Sequence, residues 1–142
     1  MRKFGILVAA VLLAGCSIGA DVPLAKQAAV SFHHQLDAGK FAETYSAAGP
    51  DLRAAATQQQ WVQLLDMVHR KLGNFKSAPE PGWNDMVATG GHFITLTYQS
   101  TYEHGVAEEQ IVYKMVGGKA LLIGYHVTSN ALIEAGPPKP PA

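Results

Sequence analysis

The chain has 142 residues, of which 48% are hydrophobic and 15% are charged. This length allows one domain with an ordinary core, and the composition excludes a disordered chain. The formal charge is balanced, with 11 Lys and Arg against 11 Asp and Glu. No basic block is present, so we expect no nucleic-acid partner, because binding to phosphates relies on clustered Lys and Arg.

The first fifteen residues have the pattern of an export signal. Arg2 and Lys3 are positive, and the ten residues Phe4–Leu13 are uncharged and apolar. Ten residues are too few to cross a bilayer as a helix, which takes about 20. The stretch ends in LAGC, which is similar to a lipobox, and its Cys16 is the sole cysteine. We therefore expect residues 1–15 to be a lipoprotein signal peptide and Cys16 to carry diacylglycerol and palmitate.

This anchor predicts a location. Ser17 follows Cys16 and does not resemble the Asp that retains lipoproteins at an inner membrane. We expect attachment to the outer membrane, facing the periplasm. Residues 16–21 form a short tether, whose extended reach of about 3.5 Å per residue keeps the domain close to the bilayer. The membrane is the first expected partner.

Two helices are predicted at the start of the mature domain. Asp21 and Pro23 indicate the beginning of the first helix, and Gly39 indicates its end. Its apolar stripe consists of Ala25, Ala29, Phe32 and Leu36. A second, shorter helix is predicted over Lys40–Ala47, where the following Gly49-Pro50 is interpreted as a break.

The third helix has the clearest pattern. Thr57 and Gln60 have the spacing of a capping box, and Gly73 closes the helix. Between them, apolar residues recur at the spacing of one helix face. These residues are Trp61, Leu64, Leu65, Val68 and Leu72.

The pattern then changes from a helical period to alternation, which predicts strands. Two strands are expected over 92–103 and 107–116, and a last strand ends near Val127. Turns at His104-Gly105 and Gly117-Gly118 join the three strands. One or two weaker strands are expected within 74–88. We predict an α+β fold in which three N-terminal helices pack on a curved antiparallel sheet. The single domain spans residues 22–130, and residues 131–142 form a Pro-rich tail.

The sequence ITLTYQSTYEHGVAEEQIVYK from Ile94 to Lys114, with GYHV at 124–127, resembles the bacterial domain-of-unknown-function family 4019. The order of helices and strands is similar to the nuclear-transport-factor-2-like (cystatin-like) superfamily, which implies a cone-shaped domain. One departure is Ala120, where the family tends to have Trp. The resemblance implies no catalytic residues, and the superfamily includes both enzymes and binding modules, so fold alone does not decide function.

Binding is expected rather than catalysis. The six histidines lack the spacings of a zinc site, so no metal is predicted. The only thiol is expected to be acylated, and no phosphate loop or nucleophile motif is present. We predict that the protein is not an enzyme and holds no cofactor.

Two binding modes remain open. The preferred one is a protein-interaction module, possibly a homodimer or a complex with another envelope protein, through the outer sheet face. The candidate interface residues are Thr95, Thr97, Gln110 and Val112. The alternative is a small-molecule module with an apolar pocket inside the cone. Its candidate lining residues are Tyr98, Tyr113, Tyr125 and Trp83.

Overall fold

A computed structural model describes residues 18–133. The predicted signal peptide, Cys16 and most of the Pro-rich tail lie outside the described residues. None of the helices in the described range is long and apolar enough to cross a membrane.

Four helices precede the sheet and a short fifth follows it. They are α1 (Val22–Asp37), α2 (Phe41–Ala47), α3 (Pro50–Ala55), α4 (Gln58–Leu72) and α5 (Asn130–Ile133). The prediction of three N-terminal helices missed α3. The sequence predicts a break at Gly49-Pro50, but Pro50 lies in the first turn of α3. The fixed φ of proline suits a helix there, and the N–H that proline lacks would have had no partner within the helix.

The strands form one antiparallel sheet. They are β1 (Phe75–Ser77), β2 (Gly82–Ala88), β3 (Gly91–Tyr102), β4 (Gly105–Val116) and β5 (Lys119–Thr128). β1 and β2 both pair with the same edge of β3, β4 pairs with its other edge, and β5 pairs with β4. The two short strands lie where weaker strands were predicted.

The core lies between the helices and one face of the sheet. β3 directs alternate residues into it, and all five of these inner residues are buried: Ile94, Leu96, Tyr98, Ser100 and Tyr102. The predicted stripe of α1 is buried, and so are Trp61, Leu65, Val68 and Leu72 of α4. The Trp61 indole also donates to Thr44 Oγ1 at 2.7 Å, which ties α4 to α2. The α+β class is therefore confirmed, with helices packed against an open antiparallel sheet.

Candidate functional site

A carboxylate lies in the middle of this core. Glu109 is on the inner face of β4, between Ala107 and Ile111, and its exposure is 0%. The strand register places it opposite Tyr98 of β3. Burying a carboxylate is costly unless charges and hydrogen bonds replace the water that it loses. Glu109 therefore needs neighbours that donate hydrogen bonds or carry positive charge.

Four donors surround the carboxylate. His33 Nε2 lies 3.0 Å from Oε1, and the Ser100 hydroxyl donates to the same oxygen. Tyr102 and Tyr125 donate their hydroxyls to Oε2 at 2.9 and 2.6 Å. We call these five residues the Glu109 cluster. α1 supplies His33, while β3, β4 and β5 supply the others, so the cluster joins the first helix to the three longest strands.

The cluster keeps Glu109 charged. Burial alone would raise the pKa of Glu109, but hydrogen bonds and the attraction of His33 outweigh it and hold the pKa below its usual value. Burial and the charge of Glu109 raise the pKa values of Tyr102 and Tyr125. Both phenols therefore stay protonated and donate to the carboxylate at neutral pH.

His33 connects the cluster to a cavity. Its side chain is buried in α1, and its ring stacks on Phe75 with centroids 4.1 Å apart. Because an ionised carboxylate only accepts hydrogen bonds, Nε2 donates to Glu109. The other ring nitrogen has no hydrogen-bond partner among residues 18–133. His33 also forms part of the cavity wall, so this ring lies between the buried charge and a space that a ligand can occupy.

The cavity has a volume of about 580 Å³ and lies between α1, β3 and the segment 75–81. Its wall combines apolar side chains such as Val30 and Phe75 with the polar groups of His33 and Tyr98. At the rim, Lys26 forms an ion pair with Glu80. Burial, with the charges of Glu80 and Glu109, raises the pKa of Tyr98 to about 12, so its hydroxyl is a proton donor at neutral pH. Asp37 and Lys76 also line the cavity, so its wall offers both apolar surface and charged groups to a small molecule.

The four tyrosine and tryptophan residues named from the sequence occupy different places. Tyr98 lines the main cavity, whereas Tyr113 lines a second cleft of about 260 Å³ between α1, α2 and β5. Tyr125 belongs to the Glu109 cluster and packs on Phe32, with ring centroids 4.9 Å apart. Trp83 lies on the edge strand β2 and is 49% exposed. Of the four, only Tyr98 reaches the 580 Å³ cavity.

The four candidate interface residues form one compact group on the opposite face. Thr95 is directly opposite Val112, and Thr97 is directly opposite Gln110. All four alternate with buried inner residues, so they point away from the helices. Across β3 and β4, none of the outer side chains is buried. In the described part of the chain, this face of the sheet is left open.

Reasoning from the sequence did not identify Glu109 or His33. A signal for Glu109 was present, since the alternation that turns Ile111 and Tyr113 inward also turns Glu109 inward. His33 follows Phe32 on the buried side of α1. What the sequence lacks is the long-range packing that brings positions 33 and 109 together. Within the described residues, no group of three or more His, Cys, Asp or Glu side chains is arranged to hold a metal.

Fold and site together define a small α+β domain in which an open sheet, covered by helices on one face, holds a buried carboxylate–histidine pair beside a cavity. The chain belongs to the family described as "Protein of unknown function (DUF4019)", which matches residues 28–125. The match runs from α1 into β5 and includes all five residues of the Glu109 cluster. No curated protein and no solved structure matches the chain.

Proposed function

We propose that this protein is a lipid-anchored component of the cell envelope whose domain binds a small molecule in the cavity beside α1. One observation carries the binding function: His33 forms the wall of a cavity of about 580 Å³ and is hydrogen-bonded to the buried, ionised Glu109. A cavity next to a buried titratable pair is a common mark of a functional site. The lipobox-like sequence at Cys16 supports the anchor, and Ser17 after it supports the outer-membrane location.

The lining indicates the kind of ligand. His33 and Phe75 are stacked and both face the cavity, which suits an apolar or aromatic ring. The Tyr98 hydroxyl makes no hydrogen bond within the described chain and is free to donate to an oxygen or nitrogen of the ligand. The best-fitting occupant is a small, partly aromatic molecule with one hydrogen-bonding group.

The cavity is tested by a fragment screen followed by NMR. The mature chain from residue 16, with Cys16→Ser, retains every described residue and is screened with small aromatic acids and neutral aromatics. Fragments that bind should shift the ring resonances of His33. Val30→Phe should weaken these fragments, because Val30 lines the cavity and is 55% exposed. Val106→Phe is the matched control, since Val106 is 61% exposed and does not line the cavity. The proposal fails if no fragment shifts His33, or if both variants bind alike.

The anchor has its own test. The full chain, extracted from membranes, should carry diacylglycerol and fatty acid on Cys16, and Cys16→Ala should leave unprocessed precursor or soluble protein. Mass spectrometry that finds an unmodified Cys16 in the membrane fraction would disprove lipidation without touching the cavity.

We extend the proposal to the fold family. The domain is a member of the nuclear-transport-factor-2-like (cystatin-like) superfamily, with a cone formed by the sheet and helices. The support is that helices cover one sheet face only and that β5 has an irregular register opposite Val112 and Tyr113. Such bulges bend a strand and curve the sheet around a cavity.

A second candidate function is protein interaction through the outer sheet face, with a second copy of the chain as the partner. It is favoured by the open group of Thr95, Thr97, Gln110 and Val112. A sheet face without buried residues and with few charges is a suitable surface for self-association. Another envelope protein on the same face would be a different outcome of the same measurements.

A further inference from the structure

Strand β2 exposes apolar side chains where edge strands usually carry charge. Trp83 is 49% exposed, Met86 is 51% exposed and Val87 is 71% exposed. Natural edge strands commonly avoid such surfaces, because an exposed apolar edge invites association. The only charged side chain of β2 is Asp85, and it is already engaged by the protein. β2 therefore presents apolar side chains at the edge of the sheet, with Trp83 and Val87 on the side of the helices and Met86 on the outer face.

The N-terminal segment docks onto this same strand. The Gly19 amide donates to Asp85 Oδ2 at 2.7 Å. The Trp83 ring packs so closely on Gly19 that a Cβ at this position would lie 3.0 Å from it. His92 Nε2 is 2.6 Å from Asp85 Oδ1, and His92 Nδ1 is 3.6 Å from Asp21 Oδ2. These contacts fix the chain against β2 before α1 begins.

The docking determines where the anchor emerges. Ile18, the first described residue, is 83% exposed and precedes Gly19 at the side of β2. Cys16 is two residues further back, and at about 3.5 Å per residue the separation is at most about 7 Å. A lipid on Cys16 would hold this side of the domain at the bilayer surface. This step rests on the lipid anchoring that we propose above.

We infer that Ile18, Trp83 and Val87, here called the β2 patch, form a membrane contact surface, since Trp83 and Val87 share the face of β2 on which the N-terminal segment docks. The patch lies beside the anchor point, and tryptophan is enriched at the level of lipid headgroups. β2 carries no Lys or Arg, so the contact is apolar and does not require anionic lipid. The anchor then orients the domain as well as retaining it.

Fluorescence tests the contact, because the chain has two tryptophans in different environments. Trp61 is 4% exposed in the core, whereas Trp83 is in the patch. The lipidated protein, which begins at Cys16, is reconstituted into phosphatidylcholine vesicles with brominated acyl chains, which quench nearby tryptophan. Wild-type protein should be quenched, and Trp83→Phe, which leaves Trp61 alone, should lose that quenching. Because both proteins retain Trp61, the difference in quenching between them isolates Trp83 without a substitution in the core.

A charge in the patch provides a second measurement. Val87→Asp should reduce quenching of Trp83, whereas Val106→Asp should not, because Val106 lies at the start of β4 on the opposite side of β3 from β2. Adding salt or anionic lipid should change neither result.

The outcomes separate the two proposals. Protein that mass spectrometry shows to be unlipidated overturns the anchor. Lipidated, vesicle-bound protein in which Trp83 is quenched no more than Trp61 overturns the membrane contact and leaves the anchor intact. Concentration-dependent shielding of Trp83 from acrylamide without vesicles would assign the patch to self-association, which also overturns the membrane contact.

Discussion

At the scale of single residues, the Glu109 cluster replaces the water that a buried carboxylate loses. Each carboxylate oxygen accepts two hydrogen bonds. The donors come from α1, β3 and β5, which are separate segments of the chain. Satisfied networks of this kind rigidify a core, whereas a network that loses one member leaves a costly unpaired group. The cluster thus both specifies the packing of α1 on the sheet and sets the polarity of the cavity wall.

Acid should weaken the fold through Glu109. The native pKa is lowered, so the carboxylate contributes its full stabilisation above its ordinary pKa of about 4.3. That contribution is lost as the pH falls towards the lower native pKa. Urea unfolding of Glu109→Gln should show a flatter dependence on pH between about 5 and 3 than the wild type. The neighbouring Glu108→Gln is the control, because Glu108 is exposed and pairs with Gln99. Equal slopes for wild type and Glu109→Gln would contradict this reading of the cluster.

Two buried tyrosines should respond to removal of their hydroxyls in opposite ways. Tyr113 Oη is buried without a hydrogen-bond partner in the described chain, and such a group costs about 1–3 kcal/mol. Tyr113→Phe should therefore raise the free energy of unfolding by about 1 kcal/mol. Tyr102→Phe should lower it by about 1.5–3 kcal/mol, because Glu109 loses a donor to a charged group. Urea titration of both variants decides the matter, and a destabilised Tyr113→Phe would show that its hydroxyl has a partner.

At the scale of elements, local signals predicted α4 best. The expected capping box is present, with Thr57 Oγ1 accepting from the Gln60 amide and Gln60 Oε1 accepting from the Thr57 amide. The predicted stripe is buried except for Leu64, which is partly buried. α3 was missed because six residues offer too little periodicity and Pro50 is compatible with both a break and a helix start. The buried cluster depends on contacts between residues 76 positions apart, which no local pattern encodes.

Removal of the cap should measure what α4 contributes locally. Thr57→Ala eliminates one half of the capping box and should lower the free energy of unfolding by about 1 kcal/mol. Thr57→Ser keeps an oxygen in the same place and should stay close to the wild type. Thermal unfolding followed by circular dichroism compares the three proteins. If Thr57→Ala and Thr57→Ser are equally stable, the cap hydrogen bond does not stabilise α4.

At the scale of the whole molecule, the two sheet faces differ in what covers them. The inner face carries the core and the Glu109 cluster, and the outer face is open. The β2 patch is at one edge of the sheet, whereas Thr97 and Val112 lie near the middle of the outer face. A domain oriented by its β2 edge would keep that outer face accessible from the periplasm. The surfaces proposed for membrane contact, ligand binding and self-association therefore differ, and each proposal can be tested separately.

Self-association through the outer face should be lost when charge is added at its centre. Thr97→Lys and Val112→Lys together place two positive charges on side chains that point away from the helices, so the fold should be retained. Repulsion between copies should then weaken the dimer, because like charges brought together at an interface disfavour association. Analytical ultracentrifugation of the mature Cys16→Ser chain over a range of concentrations compares wild type with the double variant. Gln59→Lys with Gln63→Lys adds the same two charges at exposed positions of α4, on the helix side of the sheet, and is the matched control. A wild type that remains monomeric, with no cross-linked partner at this face in cells, would leave ligand binding as the function of the domain.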